Sequence, residues 1–402
     1  EGDADSYALS FVQDTEEPNL MFLGTETGLH VSIDGAETWT KWGEGYPHVS
    51  TMDLKIHPRE GDLIMGTFGR SAFILDDIRP LRKLAREGAA VMEEPLVVYN
   101  APDAYLASYK QAAGTRFTGD AMFAGENRPA GATITFSVNE VLKENEDGTP
   151  AEKDTVLVEI LDGGQEVIRT FRAEAKAGMN RTQWDLRMKG EREPDDEKPE
   201  KKDAPEEAGF PVMPGEYTAR ITYGDYQQST SVEVLMDPRI EISRDDMMAR
   251  VEMGKELMNY TRMATKAVDQ LNEAKSTVDL ISSQLADRDD ETAVAVKEMG
   301  KTLKEAIKSH RELIAQKDVQ GILRDPHIVS GKLNAANSYF SNFWHTPNET
   351  HELVLSHVAH SLEEPLDKVN GFFEEEWAEY QQMVDKARIS FFENYETIGM
   401  NE

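Results

Sequence analysis

The chain has 402 residues, with 43 Lys and Arg against 75 Asp and Glu, which gives a formal net charge of −32 at pH 7. So acidic a chain repels nucleic-acid phosphates, and nucleic acid is therefore not expected as a partner. The absence of cysteine excludes disulfides, thiolate metal sites and cysteine nucleophiles. No run of about 18 apolar residues occurs, so no membrane span is predicted, and the length indicates two to three domains.

Residues 6–77 are predicted to form short β-strands, because apolar and polar residues alternate between turns rich in Gly, Pro, Asn and Asp. The stretches that begin at Leu20 and Leu63 share one pattern: an apolar strand ending in Gly-Thr, a glycine-containing turn and a second apolar strand. Their offset of about 43 residues is the period of a four-stranded propeller blade. The predicted strands are Tyr7–Val12, Leu20–Gly24, Leu29–Ile33, Thr38–Trp42, Leu54–His57, Leu63–Thr67 and Ala72–Leu75.

One turn in this region resembles the Asp-box, Ser-x-Asp-x-Gly-x-Thr-Trp, with Ala36 where the motif usually has glycine. We interpret the motif as a hairpin turn, because an aspartate can accept hydrogen bonds from turn amides and a glycine permits a tight bend. The tryptophan is expected to pack beneath the turn, and the role of the motif is structural, not catalytic. The residues that carry the motif are Ser32, Asp34, Gly35, Thr38 and Trp39.

Together with the Asp-box, the stretches 18–35, 53–59 and 66–81 look like the closing blades of bacterial sortilin-like (VPS10, BNR-repeat) propeller proteins. The resemblance is strong over residues 5–85. It implies a propeller and an extracytoplasmic location at the cell surface, in the periplasm or outside the cell. Members of this group are often labelled glycosyl hydrolases, but the label by itself is no evidence of hydrolysis.

The number of blades leads to a further expectation. A closed propeller needs at least four blades of about forty residues, and residues 1–85 supply about two. Two blades alone leave open strand edges and uncovered faces. The chain also begins Glu1-Gly2-Asp3, without an initiator Met. We therefore expect the remaining blades on an upstream segment or on a second chain.

After a connector at 86–130, residues 131–237 are predicted to form an immunoglobulin-like β-sandwich. Residues 177–187 and 214–221 resemble the paired signatures of FlgD-like immunoglobulin domains, which implies Trp184 as the core tryptophan and Tyr217 on the strand that pairs with it. An acidic, proline-containing insertion at 187–212 is expected to be a solvated loop. The predicted strands are Thr133–Val141, Val156–Leu161, Val167–Phe171, Arg181–Leu186, Tyr217–Tyr223 and Ser229–Leu235.

Residues 238–402 are predicted to be helical, because apolar residues recur at helical spacing. Ser243 is the expected N-cap of the first helix, with Asp245 and Asp246 in its first turn. Short polar connections favour an antiparallel bundle or a long helical hairpin. The predicted helices are residues 244–286, in one piece or two, followed by 291–317, 348–361 and 366–395.

Few residues are candidates for a catalytic or metal-binding role. His357, His360 and Glu364 can share one helix face as metal ligands, although they do not form the zincin motif, which would need a histidine at Leu355. No cofactor is expected, and acidic turns at Asp34 or Asp76-Asp77 are candidates for calcium. A sialidase-type site needs three arginines around one carboxylate. The arginines available near the blades are Arg59, Arg70, Arg79 and Arg82.

These observations predict a multidomain β plus α protein that combines propeller blades, a sandwich and helices. Its expected function is recognition or assembly, in which the propeller presents a face to a protein, peptide or glycan and no catalytic residue lies in this chain. One alternative is a glycan- or peptide-hydrolysing enzyme whose active site lies mainly in other blades. Another is a structural subunit of a cell-surface complex.

Overall fold

The computed structural model describes residues 6–107, 128–139, 155–199, 204–316, 325–340 and 346–387. Residues 108–127 of the predicted connector, 140–141 of a predicted strand, 200–203 of the acidic insertion, and 317 and 388–395 of predicted helices lie outside these ranges. The chain is mixed β plus α and divides into two compact units. The first contains Glu1–Lys189 and Pro211–Ile240, and the second contains Gly190–Phe210 and Glu241–Glu402. No described helix has both the length and the apolar character needed to cross a lipid bilayer.

The first unit begins with two antiparallel sheets that repeat the same strand pattern. A four-stranded sheet has the order β1-β2-β3-β4 and a three-stranded sheet the order β5-β6-β7. Within the described residues, the second sheet therefore has no counterpart of β4. The strands are β1 (Ala8–Gln13), β2 (Met21–Thr25), β3 (Gly28–Ser32), β4 (Thr40–Lys41), β5 (Thr51–Ile56), β6 (Leu63–Thr67) and β7 (Ala72–Leu75).

The two sheets share one hydrophobic core, in which Leu20, Phe22, Leu29, Leu54 and Leu63 are buried. They approach most closely at Gly24 of β2. A Cβ placed there would lie 2.6 Å from the Thr51 carbonyl oxygen of β5, so only glycine allows this contact. The Gly-Thr that ends each repeated strand thus has a packing function in the first sheet.

Helix α1 (Arg79–Glu87) follows β7 and begins with a proline in its first turn, where the missing N–H needs no partner. Its Arg82 is 6% exposed and Asp14, in the turn after β1, is 1% exposed. The Arg82 Nη2 donates to Asp14 Oδ2 at 2.8 Å. This buried ion pair links the helix to the first sheet, across 68 residues of sequence.

The rest of the first unit contains two further sheets, with orders β13-β10-β8 and β12-β11-β16-β17-β9, in which β9 runs parallel to β17. Trp184 of β13 and Tyr217 of β16 lie in different sheets, with ring centroids 5.3 Å apart. The prediction that Tyr217 sits on the strand paired with Trp184 was therefore wrong, because the two rings meet by packing and not by strand pairing. The strands are β8 (Leu96–Val98), β9 (Ala104–Leu106), β10 (Ala132–Val138), β11 (Thr155–Leu161), β12 (Val167–Glu174), β13 (Gly178–Trp184), β16 (Gly215–Tyr223) and β17 (Tyr226–Met236). Two short strands outside these sheets, β14 (Arg187–Lys189) and β15 (Ala208–Pro211), lie where the chain passes from one unit to the other.

The second unit is built from helices around one apolar core. Ser243 caps α2 by accepting a hydrogen bond from the Asp246 amide, as predicted. The helices differ from the prediction in two ways. Helix α4 was not predicted, and α5 continues through Pro365, which is buried. The helices are α2 (Arg244–Gln284), α3 (Glu291–Ile314), α4 (Val329–Phe340), α5 (Glu349–Glu374) and α6 (Glu376–Ala387).

The acidic insertion differs most from its prediction. Gly190–Phe210 was expected to be a solvated loop of the sandwich, but it belongs to the helical unit. Arg192 pairs with Asp269 of α2, and the ring of Phe210 packs on Phe340 of α4. The prediction failed because the charged residues of the insertion have partners that are distant in sequence, which composition cannot reveal.

Candidate functional site

The Asp-box residues form a closed hydrogen-bonded turn. The Thr38 backbone N–H donates to Asp34 Oδ1 at 3.0 Å and its hydroxyl donates to Oδ2 at 2.5 Å, while the Ser32 hydroxyl donates to Oδ1 at 2.7 Å. These bonds, led by the Thr38 hydroxyl, lower the pKa of Asp34 to about 2. Trp39 is partly buried and Gly35 has a φ of 73°. The carboxylate is fully engaged within the turn, which is the arrangement of a structural residue.

Ala36 occupies the position at which the motif usually has glycine, and its φ is 75°. A left-handed conformation is unfavourable for any residue with a Cβ. We expect Ala36→Gly to stabilise the first unit by about 0.5 kcal/mol, since the relief of this strain exceeds the added chain entropy. Chemical unfolding would measure the change. Ala8→Gly in β1 is the control and should destabilise, because a strand residue gains nothing from glycine.

The four arginines considered for a sialidase-type site do not converge. Arg82 is buried against Asp14, and Arg79 pairs with Asp77 at 2.8 Å while its Nη1 also donates to the Glu60 carbonyl oxygen. Arg70 lies in the exposed turn between β6 and β7. Arg59 lines one cleft, and Arg79 and Arg82 line a second one.

The cleft lined by Arg59 has a volume of about 420 Å³ and lies within the first unit. Its charged rim brings together three guanidinium groups, three carboxylates and one phenol that are far apart in sequence. Glu60 bridges two of the arginines, at 2.7 Å from Arg59 and 3.2 Å from Arg128. The polar lining residues are Arg59, Glu60, Asp103, Tyr105, Arg128, Asp237 and Arg239.

The electrostatics of the cleft favour ionised carboxylates. Burial acts to raise the pKa of Glu60, but the hydrogen bond and charge of Arg59 and the charge of Arg128 outweigh it and hold the pKa below its usual value. Hydrogen bonds from Arg239 lower the pKa of Asp237. Neither group can therefore act as a general acid near neutral pH. No described lining residue is Ser, Thr, Cys, His or Lys, so the cleft is equipped to bind charged groups.

The proposed metal ligands are not arranged as a metal site. His360 Nδ1 lies 3.3 Å from the Glu363 carboxylate and Glu364 is paired with Lys368 at 2.6 Å. His357 is exposed beside them. Across the described ranges, no group of three His, Cys, Asp or Glu side chains could hold a metal ion. At the calcium candidates, Asp77 is engaged by Arg79 and Asp34 by its own turn.

One polar cluster in the helical unit escaped sequence reasoning. Arg250 of α2 is fully buried, contacts His351 Nε2 through Nη1, and lies 5.2 Å from the centroid of the Phe340 ring. His351 also closes the capping box of α5 with Asn348. The sequence signal was a single arginine on the apolar face of α2, which is too weak to interpret alone.

Exposed apolar side chains lie on the outward faces of the first two sheets. Phe11 and Leu23 are paired across β1 and β2, and Ile64 and Ile74 across β6 and β7. The neighbouring residues on each strand face the shared core, so these four side chains face away from it. Phe11 is 56% exposed and Ile74 is 62% exposed. Phe11 and Ile74 therefore leave apolar surface exposed on opposite sides of the two sheets, whereas Leu23 and Ile64 are half-buried.

Comparisons with known proteins give no family assignment. No family model and no curated protein matches the chain. Six chains of solved structures show similarity, among them "pT26-6p", which is 12% identical with a TM-score of 0.12. The alignment covers 65% of this chain and 48% of that one, so the chain spans about half the length of that protein.

Proposed function

We propose that this chain is the C-terminal part of an exported, sortilin-like propeller protein that acts in recognition or assembly. In this proposal the first two sheets are propeller blades. The sheets β13-β10-β8 and β12-β11-β16-β17-β9 form an immunoglobulin-like domain. The ligand is a protein, peptide or glycan. No catalytic residue is assigned to this chain.

The exposed apolar side chains on the outward faces carry the proposal. The two sheets already pack on each other through a shared core, and Phe11 and Ile74 leave apolar surface exposed on the side of each sheet that faces away from it. Sheets with an apolar face are stable when that face is covered by another layer. We therefore propose further blades of the same kind as the occupants, from an upstream segment or a second chain.

The cleft in the first unit supports recognition over hydrolysis. Its guanidinium and carboxylate groups can pair with charged groups of a ligand. A glycosidase needs one carboxyl group that keeps its proton and a second that is ionised. The lowered pKa values of Glu60 and Asp237 do not supply such a pair.

The proposal is tested on the protein purified from its source, by denaturing and then native mass spectrometry. We expect this chain to be continuous with, or bound to, a segment of several Asp-box repeats. A lone monomer of 45.1 kDa would contradict the proposal. Hydrolysis of glycan or peptide substrates by the complete protein, lost on substitution in the other blades, would instead favour the hydrolase alternative.

Substitutions on the outward faces test the proposed contact directly. We expect Phe11→Asp and Ile74→Asp each to weaken the association of the two segments by about 30-fold, because an unpaired carboxylate would be buried. The measurement is a titration of this chain, wild type or variant, with the separately produced segment of Asp-box repeats. Phe68→Asp is the matched control: Phe68 is 76% exposed but lies in the β6–β7 turn, off both sheet faces. Equal effects at all three positions would contradict packing through the faces.

A further inference from the structure

The insertion between β14 and β15 lies as a strap on the helices of the second unit. Near its start, Arg192 Nη2 donates to both carboxylate oxygens of Asp269 in α2, at 2.6 and 2.7 Å. Its backbone oxygen accepts from the Thr265 hydroxyl at 2.6 Å. At the other end, the ring of Phe210 meets that of Phe340 in α4 edge to face, with centroids 6.1 Å apart. We call the described residues of this insertion, 190–199 and 204–210, the strap.

Glu193 lies between these two anchors. Its Oε1 accepts a hydrogen bond from Asn337 Nδ2 of α4 at 2.7 Å. Its Oε2 is shielded from solvent and has no hydrogen-bond partner among the described residues. A buried oxygen without a partner is costly, and far more so when the carboxyl group is ionised.

The surroundings of Glu193 also oppose ionisation. Burial is the main cause, and the negative charges of three nearby carboxylates add to it, so that the pKa of Glu193 rises to about 7 despite the Asn337 hydrogen bond. The neighbouring helices bring little positive charge that could stabilise an ionised Glu193. Asp269 of α2 already neutralises Arg192, and Asn337 of α4 is uncharged. At the end of α3, the Gln316 amide donates to a strap carboxylate, not to Glu193. The three carboxylates are Asp195 and Asp196 on the same limb of the strap and Glu207 on its returning limb.

We propose that the strap is a proton-controlled latch, which stays closed on the helices while the Glu193 carboxyl group holds its proton and loosens when the group ionises. The anchors at Arg192 and Phe210 position the strap, and Glu193 sets the pH at which it holds. This inference does not depend on the proposed function, because Glu193 and the groups named around it all lie within the helical unit.

The direction of the pH dependence follows from the two protonation equilibria. A released Glu193 has an ordinary pKa near 4.5, and in the closed strap the pKa is about 7. Closure is therefore most stable below the lower value, weakens as the pH rises between the two, and stays weak above the higher one. Between about pH 5.8 and about pH 7.8 the closing equilibrium constant should fall about tenfold.

Hydrogen–deuterium exchange of the full chain tests the latch, with rates corrected for the intrinsic pH dependence of exchange. We expect protection of strap peptides to fall about tenfold over that pH interval, while α3 and α5 peptides keep theirs. In Glu193→Gln, a neutral near-isostere, strap protection should stay at its low-pH value throughout. Glu197→Gln is the control: it removes an equal charge from an exposed strap position and should follow the wild type.

Two results would overturn the latch. One is strap protection in the wild type that does not change with pH. The other is a Glu193→Gln variant whose protection falls with pH as the wild type does. The wild-type profile decides the question even if the variant folds poorly.

Discussion

Arg82→Ala should lower the free energy of unfolding of the first unit by about 4 kcal/mol, because it leaves a buried charge without its partner. Asp14 has no exposed side-chain surface, and its Oδ2 accepts from both Nε and Nη2 of Arg82, at 3.1 and 2.8 Å. Its Oδ1 is already used by the backbone N–H groups of Glu16 and Glu17. Chemical unfolding, followed by hydrogen exchange in β1 and β2, measures the loss.

Two further variants separate the buried charge from a general effect on α1. Arg86 lies one turn further along the helix, is 58% exposed and pairs with Glu17 at 3.2 Å, so Arg86→Ala should cost less than about 1 kcal/mol. The double variant Arg82→Met with Asp14→Asn should recover much of the loss, since no unpaired charge remains. A loss equal to that of Arg82→Ala in the double variant would contradict the electrostatic explanation.

Gly24→Ala is expected to destabilise the first unit by about 3 kcal/mol by forcing the first two sheets apart. A Cβ at this position would lie 2.2 Å from Ser10 Oγ and 2.6 Å from the Thr51 carbonyl oxygen. Ser10 could rotate, but it would then lose its 3.0 Å hydrogen bond to that same carbonyl. The backbone of β5 cannot yield without disturbing the core that the sheets share.

The chain supplies its own control for this substitution. Gly66 is the corresponding residue of the repeated Gly-Thr, yet the nearest atom to a Cβ there would be Asp53 Cβ at 3.6 Å, an ordinary contact. We expect Gly66→Ala to be neutral or slightly stabilising, because alanine restricts the unfolded chain more than glycine does. Hydrogen exchange of the amides in β2 and β6 measures both variants. Equal losses at the two glycines would show that close sheet packing is not the cause.

Local structure was largely predictable from the sequence. The strand repeats, the Asp-box turn and the Ser243 cap depend on residues within a few positions of one another, such as Asp34 and Thr38. Prediction failed where packing overrides a local signal. Separate helices were predicted at 348–361 and 366–395, but α5 continues through Pro365, which is buried, although a proline inside a helix removes a backbone hydrogen bond. Helix α4 was missed because twelve residues give too short a periodic pattern.

The candidate sites were not predictable, because they join distant parts of the chain. The cleft brings Arg59, Arg128 and Asp237 to one place, and no spacing in the sequence connects them. The same is true of the strap, where Glu193 meets Asn337 across 144 residues. Its composition indicated a solvated loop, since charged residues are usually exposed when their partners are not known.

By itself, the sequence determined the strands of the first two sheets, the extent of the helical region, the repeated Gly-Thr pattern and the chemistry of the Asp-box turn. These follow from hydrophobic periodicity and from hydrogen bonds between near neighbours. Only the tertiary structure decided which charges are buried and which carboxyl group keeps its proton. Both depend on the solvent and the charges around each group, as at Asp14 and Glu193, and that environment exists only once distant segments have packed together.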